Sequence, residues 1–217
     1  MYKACIFDLD GTLTDTLESL TYSVNETLKE LTLPCITSEQ CRSFVGNGAR
    51  FLMERALQAS GDQELVHIEK AMEIYGRIFQ VNCTYHVAPY EGIVQMLQEL
   101  KALGVKLAVL SNKPHLQTVD VVASFFEDGM FDYVQGQMEG VPRKPDPTAA
   151  LMIAEKLLVD CKECVYIGDS EVDMQTANAA GMESVGVTWG FRPKKLLIEH
   201  NAKHTIDYPE ELITIVK

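Results

Sequence analysis

The sequence predicts an α/β protein, a doubly wound parallel sheet interrupted near its start by an all-helical insertion. Short apolar runs recur at Lys3–Leu9, Lys106–Leu110, Tyr133–Val134, Glu163–Ile167 and Glu183–Val187. Runs that are apolar on both faces suit strands covered by helices on either side of a parallel sheet. Between the later runs lie longer segments with helical spacing of apolar residues, the alternation expected of a doubly wound core. From Thr16 to His86 the alternation stops, and no strand-like run interrupts a series of helical patterns.

In chain order, KACIFDL at Lys3–Leu9 reads as a short buried strand. Leu17, Leu20, Val24, Leu28 and Leu31 then fall on one helical face. Thr37 followed by Gln40 fits a capping box, so a second helix starts there. Ala49–Ala59 and Glu64–Gln80 supply the third and fourth helices of the insertion. The chain returns near Pro89, where VAPYEG reads as a loop into a helix over Ile93–Leu103. Helical spacing recurs at Leu116–Phe126, Pro147–Leu158, Val172–Ala180 and Pro193–His200. The expected division is a Rossmann-like core formed by residues 1–15 and 87–217, with the four-helix insertion at residues 16–86. Its hinges are expected near Thr14–Thr16 and His86–Tyr90.

Lys plus Arg number 19 against 31 Asp plus Glu, a formal charge of −12 over 217 residues. So acidic a chain repels polyphosphate backbones and anionic lipid, which argues against nucleic-acid and membrane-surface partners. If the substrate is an anion, a few local cations must overcome that background. The longest stretch free of charged residues, Ile78–Tyr90, is too short and too polar to span a bilayer. The N-terminus enters the first strand with no signal-peptide pattern, so a cytoplasmic location is expected. Six cysteines are spread without the density of a disulfide scaffold, and reduced thiols are the default. Cys161 and Cys164 form a lone C-x-x-C before a strand, which packing explains better than zinc or redox use. The five histidines have no metal-ligand spacing, which leaves oxygen-rich chemistry as the coherent metal reading.

The first strand ends in Asp8-Leu9-Asp10-Gly11-Thr12. Ligands of open parallel sheets bind beyond the carboxyl ends of the strands, and alternation sends Asp8 and Asp10 to the same side. Paired carboxylates repel one another and call for a hard cation, a shared proton or both. A later strand ends in Gly168-Asp169-Ser170-Glu171-Val172-Asp173. Together with Asp8, that cluster offers oxygen ligands suited to Mg²⁺; Asp169 and Asp173 equally suit the N-terminus of the following helix. The strand KLAVL runs into Ser111-Asn112-Lys113, where a hydroxyl and backbone amides can hold phosphoryl oxygens, as can Gly11 and Thr12. Pro142-Arg143-Lys144-Pro145-Asp146-Pro147 fixes a lysine in a stiff loop before a helix.

DLDGTLTDT, LSNK, RKPDP and GDSEVD, in this order and across the whole chain, resemble the four motifs of the haloacid dehalogenase superfamily of phosphohydrolases, and the insertion resembles that family's helical cap domain. Within the superfamily, VGNGA, SNKP, GDSEVDMQTANAAGM and VTWGFR most resemble the phosphoglycolate phosphatase branch. The resemblance implies a Mg²⁺-dependent phosphomonoester hydrolase acting on a small phosphate ester. By it, Asp8 is the nucleophile that becomes an aspartyl-phosphate, and Asp10 is the acid and base. It places Mg²⁺ between the Asp8 carboxylate, the Asp10 backbone carbonyl and Asp169, with Asp173 direct or water-mediated. Ser111 and Lys144 would hold the transferring group, with Asn112 and the amides near Gly11 and Thr12 adding hydrogen bonds. Arg50, beside Gly46-Asn47-Gly48-Ala49, would meet a substrate carboxylate or would be a surface arginine beginning a helix. Trp189, Phe191 and Arg192 either line the cleft or pack and solvate near it.

Relatives acting on pyrophosphate, sugar phosphates or nucleotides share much of this pattern, and a phosphosugar mutase would share the core motifs. A dehalogenase would need neither Asp10 nor a metal. A phosphonate hydrolase would need a cap lysine aimed at the core, and the insertion has only Lys29 and Lys70. A non-catalytic regulator would lack Asp8, Asp10 or Lys144, all present here. The chain is expected to be a monomer or a homodimer, since the apolar insertion surface suits a dimer or packing within the insertion equally.

Overall fold

A computed structural model describes residues 1–217. Six parallel strands form the sheet: β1 (Ala4–Phe7), β4 (Lys106–Pro114), β5 (Tyr133–Gln137), β6 (Cys164–Gly168), β7 (Glu183–Val187) and β8 (His204–Ile206), in the order β5-β4-β1-β6-β7-β8. A further pair, β2 (Thr14–Asp15) and β3 (Ala88–Pro89), is antiparallel and forms its own two-stranded ladder. The α/β doubly wound reading is borne out.

The two faces of the sheet follow from alternation along the strands. Cys5, Phe7, Leu107, Val109, Val165 and Ile167 enter one apolar cluster, whereas Ala4, Ile6, Ala108, Leu110, Cys164 and Tyr166 enter the other. The first face is covered by α5 (Ile93–Ala102), α6 (His115–Phe125) and α10 (Glu211–Val216). The second is covered by α7 (Thr148–Leu157) and α8 (Glu171–Ala180), through Ala150, Ile153, Ala154 and Ala177. A short α9 (Lys194–Glu199) packs beside β7. Each fully buried Leu, Ile or Phe on these faces contributes about 1.5–3 kcal/mol.

Between β2 and β3 the chain makes α1 (Leu17–Glu30), α2 (Ser38–Phe44), α3 (Ala49–Ala59) and α4 (Ile68–Asn82), with α1 packed principally on α4. Leu20, Val24, Leu28, Met53, Leu57 and Tyr75 fill their interior, and this cluster is continuous with the first face of the sheet. The capping box forms: Gln40 N donates to Thr37 Oγ1 at 3.2 Å and Thr37 N to Gln40 Oε1 at 2.9 Å. The two crossings between helices and sheet run side by side as the β2–β3 ladder, reinforced by Tyr90 N donating to Leu13 O at 3.2 Å.

Three details differ from the sequence reading. The fourth helix begins at Ile68 rather than Glu64, because the Asp62 carboxylate accepts from Val66 N and His67 N and holds the preceding residues in a turn. Strand β4 continues through Ser111-Asn112-Lys113 to Pro114, with a register shift against β5 between Leu110 and Pro114. Strand β8 and helix α10 add to the predicted elements; HTI at His204–Ile206 is too short to give an apolar run.

Candidate active site

Register brings the functional segments together. Phe7 lies beside Val109 on one side and Ile167 on the other, so the chain leaves β1 and β6 at Asp8 and Asp169 beside the Ser111 segment of β4. The connection from β5 crosses to β6 on the far side of β1, and ligands bind at such a change of direction. A cleft of about 560 Å³, part of it open to solvent, lies there between the sheet and the helical insertion. Asp8, Asp10, Ser111, Lys113 and Asp169 form its floor, and Leu20, Val45, Leu52, Tyr75 and Phe79 face them from the helices.

Asp8 Oδ1 accepts from Leu9 N at 2.7 Å and pairs with Lys144 Nζ at 2.9 Å. Lys144 also reaches Asp173 Oδ1 at 2.8 Å and Leu110 O at 3.1 Å, so its buried ammonium has three acceptors. Asp173 serves the helix as well, because Ser170 N and Ser170 Oγ donate to its Oδ2 at 3.1 and 2.6 Å. Capping and cluster membership therefore coexist in that one residue. Asp169 Oδ2 accepts from Phe191 N at 2.6 Å.

Carboxylate oxygens of Asp8, Asp169 and Asp173 all lie within 4.8 Å of one another, and all three residues are buried. Burial, with the charge of Asp173, pushes the Asp8 carboxyl up to about 7 despite the opposing pull of Lys144. Burial, Asp173 and Asp8 likewise hold the Asp169 carboxyl well above the usual range. Burial works against the Lys144 ammonium, but Asp173 and Asp8 outweigh it and hold its pKa well up. Three buried carboxylates facing one ammonium leave a deficit of positive charge, which a hard divalent cation on these oxygens, or protons, would balance. The all-oxygen donor set fits Mg²⁺ and not a soft metal.

Asp10 lines the same cleft but stands outside that cluster, and Thr16 Oγ1 and Lys113 Nζ both donate to its Oδ1 at 2.7 Å. Lys113 is almost wholly enclosed and lies 4.9 Å from the Phe79 ring centroid. Nothing in the sequence alone singles out Lys113 except alternation, which places it two residues after Ser111 on the same strand. Ser111 Oγ accepts from Lys113 N at 3.2 Å and lines the cleft.

Other candidates stand differently from the sequence expectation. Gly11 N donates to Thr14 O at 2.9 Å and Thr12 N to Leu9 O at 3.3 Å, so both amides shape the turn after β1 and neither residue lines the cleft. Gly11 has φ +81°, and a Cβ there would overlap the Asp169 carboxylate, so glycine is required. Asn112 spends its amide as a brace, donating to Gly46 O and Lys144 O at 3.0 Å and accepting from Lys144 N at 3.0 Å. Arg50 is not brought to the cleft: it lies half exposed between Glu54 and Glu69, at 3.1 and 2.8 Å, and these carboxylates already balance its charge. Phe191 and Arg192 do line the cleft, and Trp189 Nε1 donates to Thr12 O at 3.0 Å.

Comparison with known proteins gives a coherent picture. The model of the haloacid dehalogenase-like hydrolase family matches residues 5–187. The chain is 32% identical to the phosphoglycolate phosphatase of Colwellia psychrerythraea over 99% of its own length and 97% of that protein. It is 31% identical to the phosphoglycolate phosphatase of Haemophilus influenzae, covering 99% and 98% of the two chains. Among solved structures, a predicted phosphoglycolate phosphatase from Haemophilus somnus superposes with a TM-score of 0.92 at 27% identity, covering 100% of this chain and 98% of the other.

Proposed function

The chain belongs to the haloacid dehalogenase-like hydrolases, and we propose that within that family it is a Mg²⁺-dependent phosphomonoesterase that works through an aspartyl-phosphate on Asp8, with 2-phosphoglycolate as its substrate. The observation that carries the reading is the buried group of Asp8, Asp169, Asp173 and Lys144, of which Asp8 and Asp169 reach the floor of a cleft roofed by helices while Asp173 and Lys144 stand behind them. The named activity of relatives aligned over nearly the whole chain supports the substrate. In this reading residues 1–15 and 87–217 are the catalytic core and residues 16–86 the cap, turning about the paired crossings at Thr14–Asp15 and Ala88–Pro89.

Asp8 attacks phosphorus in line with the ester oxygen, forming the acyl-phosphate bond as the P–O ester bond breaks. Asp10 gives its proton to the departing alkoxide, then takes one from the water that attacks the same phosphorus and restores the Asp8 carboxylate. Lys113 and Thr16 hold Asp10 Oδ1, which fixes the direction from which that proton comes and goes. Lys144 and Ser111 hold oxygens of the transferring group. Mg²⁺, held by Asp8, Asp169 and the Asp10 backbone carbonyl with Asp173 beside them, would offset charge on those oxygens and favour ionised Asp8. Closure of the cap keeps stray water from the acyl phosphate.

Phosphate release is to be measured with Mg²⁺ and with EDTA on 2-phosphoglycolate, pyrophosphate, hexose phosphates, nucleoside monophosphates and an aryl phosphate. The expected result is Mg²⁺-dependent release with 2-phosphoglycolate preferred about a hundredfold, a difference of roughly 2.8 kcal/mol in transition-state binding. Broad, weak release would reject the substrate and keep the mechanism. Consumption of a hexose 1-phosphate without proportionate phosphate release would replace hydrolysis by mutase chemistry.

A further inference from the structure

Three core side chains reach across the cleft, and all three hold main-chain carbonyls of one segment, from the end of α2 to the start of α3. Asn112 Nδ2 donates to Gly46 O at 3.0 Å, and Arg143 Nη1 donates to Asn47 O at 3.3 Å. Arg192 makes the larger contribution: Nη1 donates to Arg42 O at 2.7 Å, and Nη2 to Val45 O at 2.5 Å and Ser43 O at 3.4 Å. Its Nε faces Glu171 Oε2 at 3.3 Å, which fixes the guanidinium from the core side. The carbonyls it meets are those a helix leaves without partners at its C-terminal end, where a cation is also favoured. A planar fork of donors suits several acceptors at once, as a lysine ammonium does not.

The segment held in this way is the roof of the cleft, which Val45, Gly46, Gly48 and Ala49 line. The stretch that carries Arg192 is tied to the floor as well. Trp189 Nε1 donates to Thr12 O and Phe191 N donates to Asp169 Oδ2. Four consecutive residues thus join the turn after β1, an acid of the carboxylate cluster and the roof.

We propose that Arg192 is a positioning residue: it clamps the main chain of Arg42–Val45, sets the height of the roof above the phosphoryl site, and so limits the size of the leaving group. Because the acceptors are carbonyls, the clamp is indifferent to the side chains at Arg42–Val45. Four of the five donors of Arg192 are engaged by Glu171 and the three carbonyls, so its main task is to hold the roof. The kinetic half of the test rests on the phosphomonoesterase reading; the structural half does not.

Arg192→Met and Arg192→Lys are made in the full chain, and kcat and KM are measured for 2-phosphoglycolate and for p-nitrophenyl phosphate. Amide hydrogen exchange is followed over Val45–Leu52 and over β4 and β6 without substrate. In Arg192→Met, KM for 2-phosphoglycolate should rise about tenfold, the factor equivalent to ~1.4 kcal/mol, while kcat/KM for the bulkier aryl ester holds or rises. Exchange over Val45–Leu52 should quicken while that of β4 and β6 stays unchanged. Arg192→Lys should recover part of both effects, and it gives the same readouts if the Met variant fails to fold. Equal losses of kcat/KM on both esters, or unchanged exchange in the roof, would overturn the proposal. If the parent protein turns over neither ester, the phosphatase reading falls, and the exchange result alone decides for or against the clamp.

Discussion

Lys144→Met isolates the charge balance of the site. The substitution keeps an unbranched stem and removes the ammonium that lies 2.9 Å from Asp8 and 2.8 Å from Asp173. Three buried carboxylates then share a space 4.8 Å across with no cation among them. Stripping one partner from a buried ion pair costs about 3–5 kcal/mol, and at ~2–4 °C per kcal/mol for a chain of this size Tm should fall by roughly 6–20 °C. Calorimetry in EDTA at pH 8 and pH 5 separates charge from packing. The native Asp8 carboxyl lies at about 7, above its ordinary 3.8. A group raised in this way contributes stability that is fully present below about pH 4 and is lost as pH rises through 7. Losing Lys144 removes the pull that holds the Asp8 carboxyl down and raises it further, so acidification should help the variant more than the parent and narrow the Tm gap at pH 5. Added Mg²⁺ should likewise lift the variant more than the parent. An equal Tm loss at pH 8 and pH 5 would refute the reasoning, because the lost interaction would then be packing of the lysine stem.

Asp8→Asn should lower turnover by at least ~10³-fold while the metal-free protein keeps or raises its Tm, since one buried charge is removed; phosphate release and calorimetry on the same sample check both halves. Gly11→Ala places a Cβ at φ +81° against the Asp169 carboxylate. It should cost about 1–3 kcal/mol and weaken Mg²⁺ binding measured by titration calorimetry. Arg50→Ala removes only exposed pairs with Glu54 and Glu69. KM for 2-phosphoglycolate should stay within about twofold and Tm should hold, since exposed ion pairs contribute little; a large rise in KM would return Arg50 to the cleft.

The sheet was legible because its strands are short, apolar on both faces and set apart by helical spacing, as in ACIF at β1 and CVYIG at β6. Strand β8 was not, because HTI gains its place from pairing with β7 and not from any pattern of its own. The short ladder of Thr14–Asp15 with Ala88–Pro89 was hidden for the same reason. Two residues carry no periodicity, and the pairing spans the entire helical insertion.

The site was legible where the chain itself concentrates charge. Asp8 and Asp10 stand together in sequence, as do Asp169 and Asp173, and Lys144 is marked by the prolines around it. What stayed hidden are partnerships in which one member is the main chain. Arg192 meets carbonyls 147 and 150 residues away, and a carbonyl is the same at every position, so no residue type in Arg42–Val45 announces the contact. Arg50 shows the converse: its neighbourhood of glycines and helix start suits an anion site as well as a surface arginine, and the structure has the second, with Glu54 one turn on and Glu69 on the next helix holding the guanidinium. In a chain of net charge −12 most cations find a carboxylate before they find a substrate. The informative cations are therefore those the fold encloses. Lys113 and Arg192 line the cleft, and Lys144 lies just behind its floor, paired with Asp8 and Asp173 of the enclosed carboxylate group.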